Sequence, residues 1–175
     1  MTAEKEKEIS AKEYYNIIAR RYLELYGQEQ LEKALFLKQI SDFKESDKIL
    51  DVGSGTGHYL KVLKGNFVCV DPSEQLLSFN PYEKYVAKAE HLPFPDKSFD
   101  YTISLTAIQN FDDVDKAIDE MIRVTKKMIY ISTLQASKVN KILKKVFKKK
   151  NITYSYKKFN KEIFYIINLK NEIKK

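Results

Sequence analysis

The sequence predicts an α/β protein, a mostly parallel sheet flanked by helices. Three observations predict it. From Lys48 onward, short apolar runs alternate with helical stretches, the pattern of βαβ units. A glycine loop, Gly53-Ser54-Gly55-Thr56-Gly57, joins the first of these runs to the stretch that follows. And 175 residues, 43% of them hydrophobic and 13% aromatic, suffice for one sizeable core. The expectation is a single domain over residues 1–175, with a helical cap over 1–45 and an α/β core over 46–175.

Taken in order, residues 1–9 read as a tail. Ser10 followed by Glu13 fits a capping box, which satisfies the first free amides of a helix. That helix is predicted to reach Tyr26 and stop at Gly27. A second covers Gln28 to about Phe43, with Leu31, Leu35 and the stretch Leu37 to Ile40 as apolar contacts. Strand one is Lys48 to Gly53, followed by a helix from Gly57 to Lys64 closed by Gly65. Strand two is Asn66 to Asp71, and Pro72 and Ser73 open the next helix. Tyr85 to Ala87 is a short third strand and Phe99 to Leu105 the fourth. Asp112 to Thr125 is a strongly amphipathic helix, and Met128 to Leu134 is strand five. A Lys-rich helix follows over Ser137 to Lys149, burying Val139, Ile142, Leu143, Val146 and Phe147. Ile152 to Tyr156 and Ile163 to Leu169 read as a closing antiparallel pair.

Composition narrows the function. Cys69 is the only cysteine, which leaves no internal disulfide and no cysteine-based zinc site, and no metal is expected. No apolar run approaches the roughly 20 residues that cross a bilayer, and the charged N-terminus lacks a signal peptide's apolar stretch. A soluble cytoplasmic protein is the expectation. Charge is unevenly spread. Residues 1–125 hold 16 basic and 22 acidic side chains, whereas residues 126–175 hold 15 lysines against Glu162 and Glu172. An acidic body with a basic end suggests two surfaces with different roles, or simply a lysine bias.

The glycine loop carries the chemistry. Dinucleotide folds use G-x-G-x-x-G, opened for a pyrophosphate. Here the spacing is G-x-G-x-G, and His58 stands where the third glycine would be. Asp51 precedes the first glycine by two and suits a cationic ligand. A P-loop is excluded, because no Gly-Lys-Ser/Thr follows. Asp71 ends strand two, where a carboxylate can accept hydrogen bonds from both hydroxyls of a ribose. Together they describe a nucleoside site whose other end is cationic, the chemistry of S-adenosylmethionine.

On these residues the chain resembles the class I S-adenosylmethionine-dependent methyltransferases, over roughly residues 14–135. Lys48 to Gly57 matches the family's first motif, and Val70-Asp71-Pro72-Ser73 resembles the second. Ala89-Glu90-His91-Leu92-Pro93-Phe94 resembles the segment before strand four in the subgroup of ubiquinone and menaquinone biosynthesis methyltransferases. The resemblance implies a Rossmann-like methyltransferase fold: a seven-stranded, mostly parallel sheet with an antiparallel C-terminal strand and helices on both faces. It implies S-adenosyl-L-methionine as cofactor. Gly53, Ser54, Gly55 and Gly57 would hold the methionine part with Asp51 near its ammonium. Asp71 and Pro72 would meet the ribose, and Ala89 and Glu90 the adenine. Lys88 departs from the acid that often precedes this Ala-Glu pair and cannot accept from the adenine amino group. Tyr15 and Tyr22, in an N-terminal helix, would cover the cofactor. Thr106, Gln109 and Asn110, after strand four, would orient the substrate; the Asn/Asp-Pro-Pro-Tyr/Phe motif of enzymes that methylate planar amines is absent there.

Three other residues read as structural. His58 fits a packing residue at a helix start, His91 a loop histidine, and Cys69 the core of strand two. The activity expected is in-line methyl transfer. The basic end favours RNA or an RNA-associated protein as acceptor, with Lys141, Lys144, Lys145 and Lys148 on one helix face. Lys157, Lys158 and Lys161 follow, interleaved with Tyr154, Tyr156 and Phe159. A small-molecule acceptor, or a cofactor-binding subunit that needs a partner protein, are the alternatives.

Overall fold

The computed structural model describes residues 10–169. Seven strands form one sheet: β1 (Lys48–Val52), β2 (Asn66–Asp71), β3 (Glu83–Val86), β4 (Phe99–Leu105), β5 (Thr125–Leu134), β6 (Tyr154–Phe159) and β7 (Glu162–Asn168). Their order is β3-β2-β1-β4-β5-β7-β6. Every pair from β3 to β5 is parallel, and β7 runs antiparallel to both β5 and β6. From β1 the chain first adds strands on one side, then crosses to β4 on the other. In open α/β sheets such a reversal opens a crevice at the carboxyl ends of the strands. The segments after β1, β2 and β4 therefore meet at the carboxyl ends of the strands.

Five α-helices surround the sheet: α1 (Ala11–Ile18), α2 (Tyr22–Ile40), α3 (Glu74–Ser78), α4 (Val114–Val124) and α5 (Val139–Lys149). Successive side chains of a strand point to opposite faces, and β1 serves both. Leu50 and Val52 pack with Ile118, Met121, Leu143 and Phe147 of α4 and α5. Ile49 packs on the other face with Ala34 and Leu37 of α2 and with Tyr59 and Leu60. The helices thus lie on both faces, as expected.

Local boundaries differ from the sequence reading for identifiable reasons. Gly27 does not end a helix. The break is a 3₁₀ turn at Ala19–Arg21, and α2 continues through Gly27 to Ile40. An interior glycine costs a helix only about 1 kcal/mol, and the burial of Ala34 and Leu37 outweighs it. Ser41 ends α2, its hydroxyl donating to the Leu37 carbonyl at 2.7 Å. Leu35 faces out, 43% exposed. After the glycine loop there is only a short 3₁₀ turn, His58–Val62, because few residues separate the loop from β2. Helix α4 stops at Val124 and β5 starts directly at Thr125, so that strand has ten residues. β3 begins earlier than Tyr85, and β6 begins at Tyr154, leaving Ile152 buried in the turn. Ile142 on α5 is 47% exposed and not part of the buried stripe.

One side chain fixes the loop before β4. Arg123, in the last turn of α4, donates to the carbonyls of Leu92 and Phe94 at 3.0 and 2.7 Å and to Asp96 at 2.9 Å. It also pairs with Glu120. Only a planar guanidinium reaches all four partners at once. Arg123→Lys should lower stability by about 1–2 kcal/mol, read as a lower urea midpoint with an unchanged slope.

Candidate functional site

The crevice is built on the loop after β1. Gly53, Gly55 and Gly57 all take positive φ, at 77°, 52° and 60°. At Gly53 a Cβ would collide with the Ala107 side chain beyond β4, so glycine is what lets these two loops touch. The amides of Gly53 and Ser54 both donate to the Val70 carbonyl, at 2.8 and 3.1 Å, joining the loop to β2.

Asp71 completes the join. One carboxylate oxygen accepts the Gly55 amide at 2.9 Å and the other the Ser73 amide at 2.8 Å. Burial pushes this carboxyl up, and the two amides act against the rise. Each oxygen keeps a second lone pair toward the crevice. Asp51 sits deeper and is fully buried. Its Oδ2 accepts from the Tyr59 hydroxyl at 2.6 Å, while Oδ1 has no partner. Burial pushes its carboxyl up to about 7; the Tyr59 bond opposes this and the Asp71 charge adds to it.

A cavity of about 880 Å³ opens from this loop, a size typical of small-molecule sites. Gly53, Gly55, Asp71, Pro72, Ala89 and Glu90 line one end. Thr106, Gln109 and Asn110 line the wall after β4, and Tyr15 and Tyr22 the cap side. The structure thus gathers eleven of the sequence-proposed residues at one cavity. Asp51, at the end of β1, and Ser54 and Gly57 of the loop itself are not among the residues that line the cavity. Ser54 is buried, with Asn80 reaching its hydroxyl at 3.5 Å and the Gly55 carbonyl at 3.1 Å.

Helix α1 closes over the crevice through polar contacts. The capping box of Ser10 and Glu13 is present. The Asn110 amide donates to the Tyr15 hydroxyl at 3.3 Å, and the Ser73 hydroxyl donates to Asn16 at 2.5 Å. Tyr15 stacks edge-on against Tyr22, with centroids 6.1 Å apart. No residue of α1 is fully buried.

The remaining candidates fall into supporting places. His58 links the loop to α2: Nε2 donates to the Gly27 carbonyl at 3.0 Å, and Nδ1 shares a hydrogen bond with the Thr56 hydroxyl, also at 3.0 Å. His91 is exposed, beside Lys116, and outside the cavity wall. Cys69 is buried, and burial pushes its thiol up to about 12, so it is a poor nucleophile. Lys88 forms an exposed ion pair with Asp112 at 2.6 Å. Glu90 accepts the Asp113 amide at 3.0 Å. Sequence reasoning missed Lys33 and Glu162, which also line the cavity. Neither belongs to a motif, and only the fold brings α2 and β7 together.

The site fits S-adenosylmethionine. Asp71 is a buried carboxylate on the wall with free lone pairs, Gly55 presents bare backbone to the cavity, and the orphaned Asp51 Oδ1 is an unused acceptor beneath the loop.

Comparisons with known proteins agree. Residues 50–131 match the methyltransferase-domain family. An uncharacterised protein of Methanocaldococcus jannaschii is 37% identical over 127 residues, covering 69% of this chain and 49% of its own length. A ubiquinone/menaquinone biosynthesis C-methyltransferase of Rickettsia bellii is 33% identical over 169 residues, covering 82% of this chain and 67% of its own length. The chain therefore spans between half and two thirds of these relatives. Among solved structures, an S-adenosyl-L-methionine-dependent methyltransferase from Methanococcus maripaludis shares the fold. Its TM-score is 0.77 at 15% identity, covering 95% of this chain and 96% of that one. A Haloferax volcanii methyltransferase, seen in complex with the activator Trm112, superposes with a TM-score of 0.78 at 13% identity, covering 91% and 97%. With loop, strand-two acid and crevice at the carboxyl ends of the strands, and with relatives of this kind, the chain belongs to the class I S-adenosylmethionine-dependent methyltransferases.

Proposed function

We propose that the chain transfers a methyl group from S-adenosylmethionine to a small-molecule acceptor. One observation carries this reading: the cavity that begins at Asp71 continues past Ala107 to Lys33 and Glu162, leaving room for a second molecule. The rickettsial relatives, described as C-methyltransferases of quinone biosynthesis, support a small acceptor and transfer to carbon.

When bound, the cofactor supplies the activated methyl on its sulfonium, so the protein's share is alignment and exclusion of water. Asp71 accepts the ribose hydroxyls while its other lone pairs hold the loop. Tyr15 and Tyr22 cover the crevice. Thr106, Gln109 and Asn110 border the acceptor and set its approach.

The lysine flank supports RNA less well. Lys141, Lys144, Lys145 and Lys148 are exposed on α5, but no residue of α5 borders the cavity. Tyr154 stacks on Phe147 at 4.8 Å and Phe159 on Phe36 at 4.5 Å, which takes two of the three interleaved aromatics away from a base. A second reading, a subunit that works with a partner protein, is favoured by β3. All four of its residues are exposed at the sheet edge, a place where another chain can pair.

Incubation with methyl-labelled S-adenosylmethionine and host small-molecule, RNA and protein fractions decides among these. Label should enter the small-molecule fraction with this chain alone. Label confined to RNA or protein defeats the reading, and label that requires added host protein favours the partnered subunit.

Cofactor binding should depend on Asp71. Asp71→Asn replaces an acceptor oxygen with an amide and should weaken S-adenosylhomocysteine binding roughly tenfold or more, measured by calorimetry.

Asp51 makes stability pH-dependent. Its carboxyl is raised to about 7 in the folded chain, against about 3.9 unfolded. Between those values the folded state holds a proton that the unfolded state has released, so stability falls as pH rises through that window. Asp51→Asn keeps an acceptor for Tyr59 and carries no charge. Thermal unfolding from pH 5 to pH 8 should show a smaller loss in the variant, and equal losses would refute the assignment.

A further inference from the structure

The outer face of α5 carries one sign of charge. Lys138, at the N-cap, and Lys141, Lys144, Lys145 and Lys148 recur at helical spacing and are exposed, opposite the buried Val139, Leu143, Val146 and Phe147. Lys158 extends this face onto β6. It shares a side of the strand with Tyr154, which stacks on Phe147 of α5 at 4.8 Å. Residues 135–161 contain ten lysines and no acid. Lys149 and Lys150 are paired with acids of α4. The ammonium groups of the six face lysines have no carboxylate partner among the described residues.

Folding does not account for this face. Like charges three or four residues apart on a helix repel, and Lys141 alone has Lys144 and Lys145 at those distances, with Lys138 on its other side. A helix N-terminus favours negative charge, yet α5 has no acid in its first turn and a lysine at its N-cap. Nor is the pattern a habit of the whole chain. Helix α2 mixes Lys33 and Lys38 with Glu24, Glu29 and Glu32, and α4 mixes Lys116 and Arg123 with Asp115, Asp119 and Glu120. An anionic surface relieves the repulsion that α5 carries.

The kind of surface follows from the other side chains. A single-stranded nucleic acid needs aromatic rings to stack on, and Tyr154 and Phe159 are already taken by Phe147 and Phe36. Bidentate phosphate recognition uses arginine, and every basic residue after Arg123 is a lysine. Lysine is a point charge, suited to a diffuse layer of lipid phosphates. Ile142 on α5 and Tyr156 on β6 are 47% and 59% exposed beside these lysines, and a headgroup layer takes up such side chains. Residues 1–125 hold 22 acids against 16 bases, so the rest of the chain is repelled by the same layer. No helix among the described residues is long and apolar enough to cross a membrane.

We propose that the lysine face of α5 and β6 docks reversibly on the surface of an anionic lipid bilayer. One end of this face is the β6–β7 turn, where Asn160 and Lys161 line the cavity. Docking therefore brings the cavity rim close to the headgroups.

Vesicle co-sedimentation tests this with the full chain. At low salt the chain should bind phosphatidylcholine vesicles that contain phosphatidylglycerol roughly tenfold or more tighter than pure phosphatidylcholine vesicles, and about 0.5 M salt should abolish the difference. A variant with Lys141→Gln, Lys144→Gln, Lys145→Gln and Lys148→Gln should lose roughly hundredfold or more in affinity. A control with Lys38→Gln, Lys44→Gln, Lys61→Gln and Lys64→Gln, all exposed, removes the same charge elsewhere and should stay within about threefold of the wild type. Neither set lines the cavity, so unchanged S-adenosylhomocysteine binding shows that both variants fold. Equal binding to the two vesicles overturns the proposal. Equal losses in the two variants do so too, because the face then acts only through net charge. RNA that strips the wild type from the vesicles at equal phosphate concentration assigns the face to nucleic acid and likewise overturns it. Should a variant not fold, the wild-type vesicle comparison and the RNA competition decide.

Discussion

The carboxylate of Asp71 is the constraint on which the crevice depends. One side chain at the end of β2 holds the amide of Gly55, in the loop after β1, and that of Ser73, in its own loop. Two neighbouring loops are fixed to each other by charge-assisted bonds, stronger than neutral ones. Their positions then pass outward. Ser73 anchors α1 through Asn16, and the Ser73 hydroxyl also caps α3 by accepting the Leu76 amide at 3.1 Å. The Gly53 contact to Ala107 sets the loop after β4. The loop architecture of the crevice therefore rests on one group that also lines the cavity.

Burial gives the crevice a floor of carboxyls that hold their protons more tightly than usual. Asp51 and Asp71 stand on adjacent strands in low-dielectric surroundings; burial raises the cost of ionising both, and the Asp71 charge adds to the cost at Asp51. Structural tyrosines respond in the same sense: burial beside Asp51 pushes the Tyr59 phenol well up, so it serves Asp51 as a donor. The cap above is built differently. Helix α1 has no fully buried residue and is held by hydrogen bonds and tyrosine edges. Rigid charge below and a lightly held cover above are what a ligand that must enter and leave requires.

The cofactor end was legible in the sequence because it is encoded locally. Glycines needing positive φ, an acid at a strand end and an alternation of apolar runs each occupy a few consecutive residues. The far end of the cavity is encoded differently. Lys33 reads as one polar position on an amphipathic helix and Glu162 as one acid among lysines. Only the placement of β7 between β5 and β6 brings them together. Helix boundaries failed for a related reason. Gly27 is a stop signal in isolation, but the core contacts of α2 carry the helix through it. Propensity is overridden where burial on both sides of a breaker favours continuity.

The charge asymmetry of the sequence acquires a structural meaning in the same way. Part of the basic end is a counterpart to the acidic body. Lys149 and Lys150, at the end of α5, lie 2.6 and 2.5 Å from Asp115 on α4, and Lys150 reaches Asp119 at 2.7 Å. Lys127 at the start of β5 spans Asp47 and Asp100 at 2.9 and 3.2 Å, next to β1 and β4. Partly exposed pairs of this kind each contribute little. Their value lies in register: they match α5 to α4, and β5 to the strands beside it, by sign. The lysines left over on the outer face of α5 and on β6 sit away from the crevice. Their charge bears on solubility and long-range attraction.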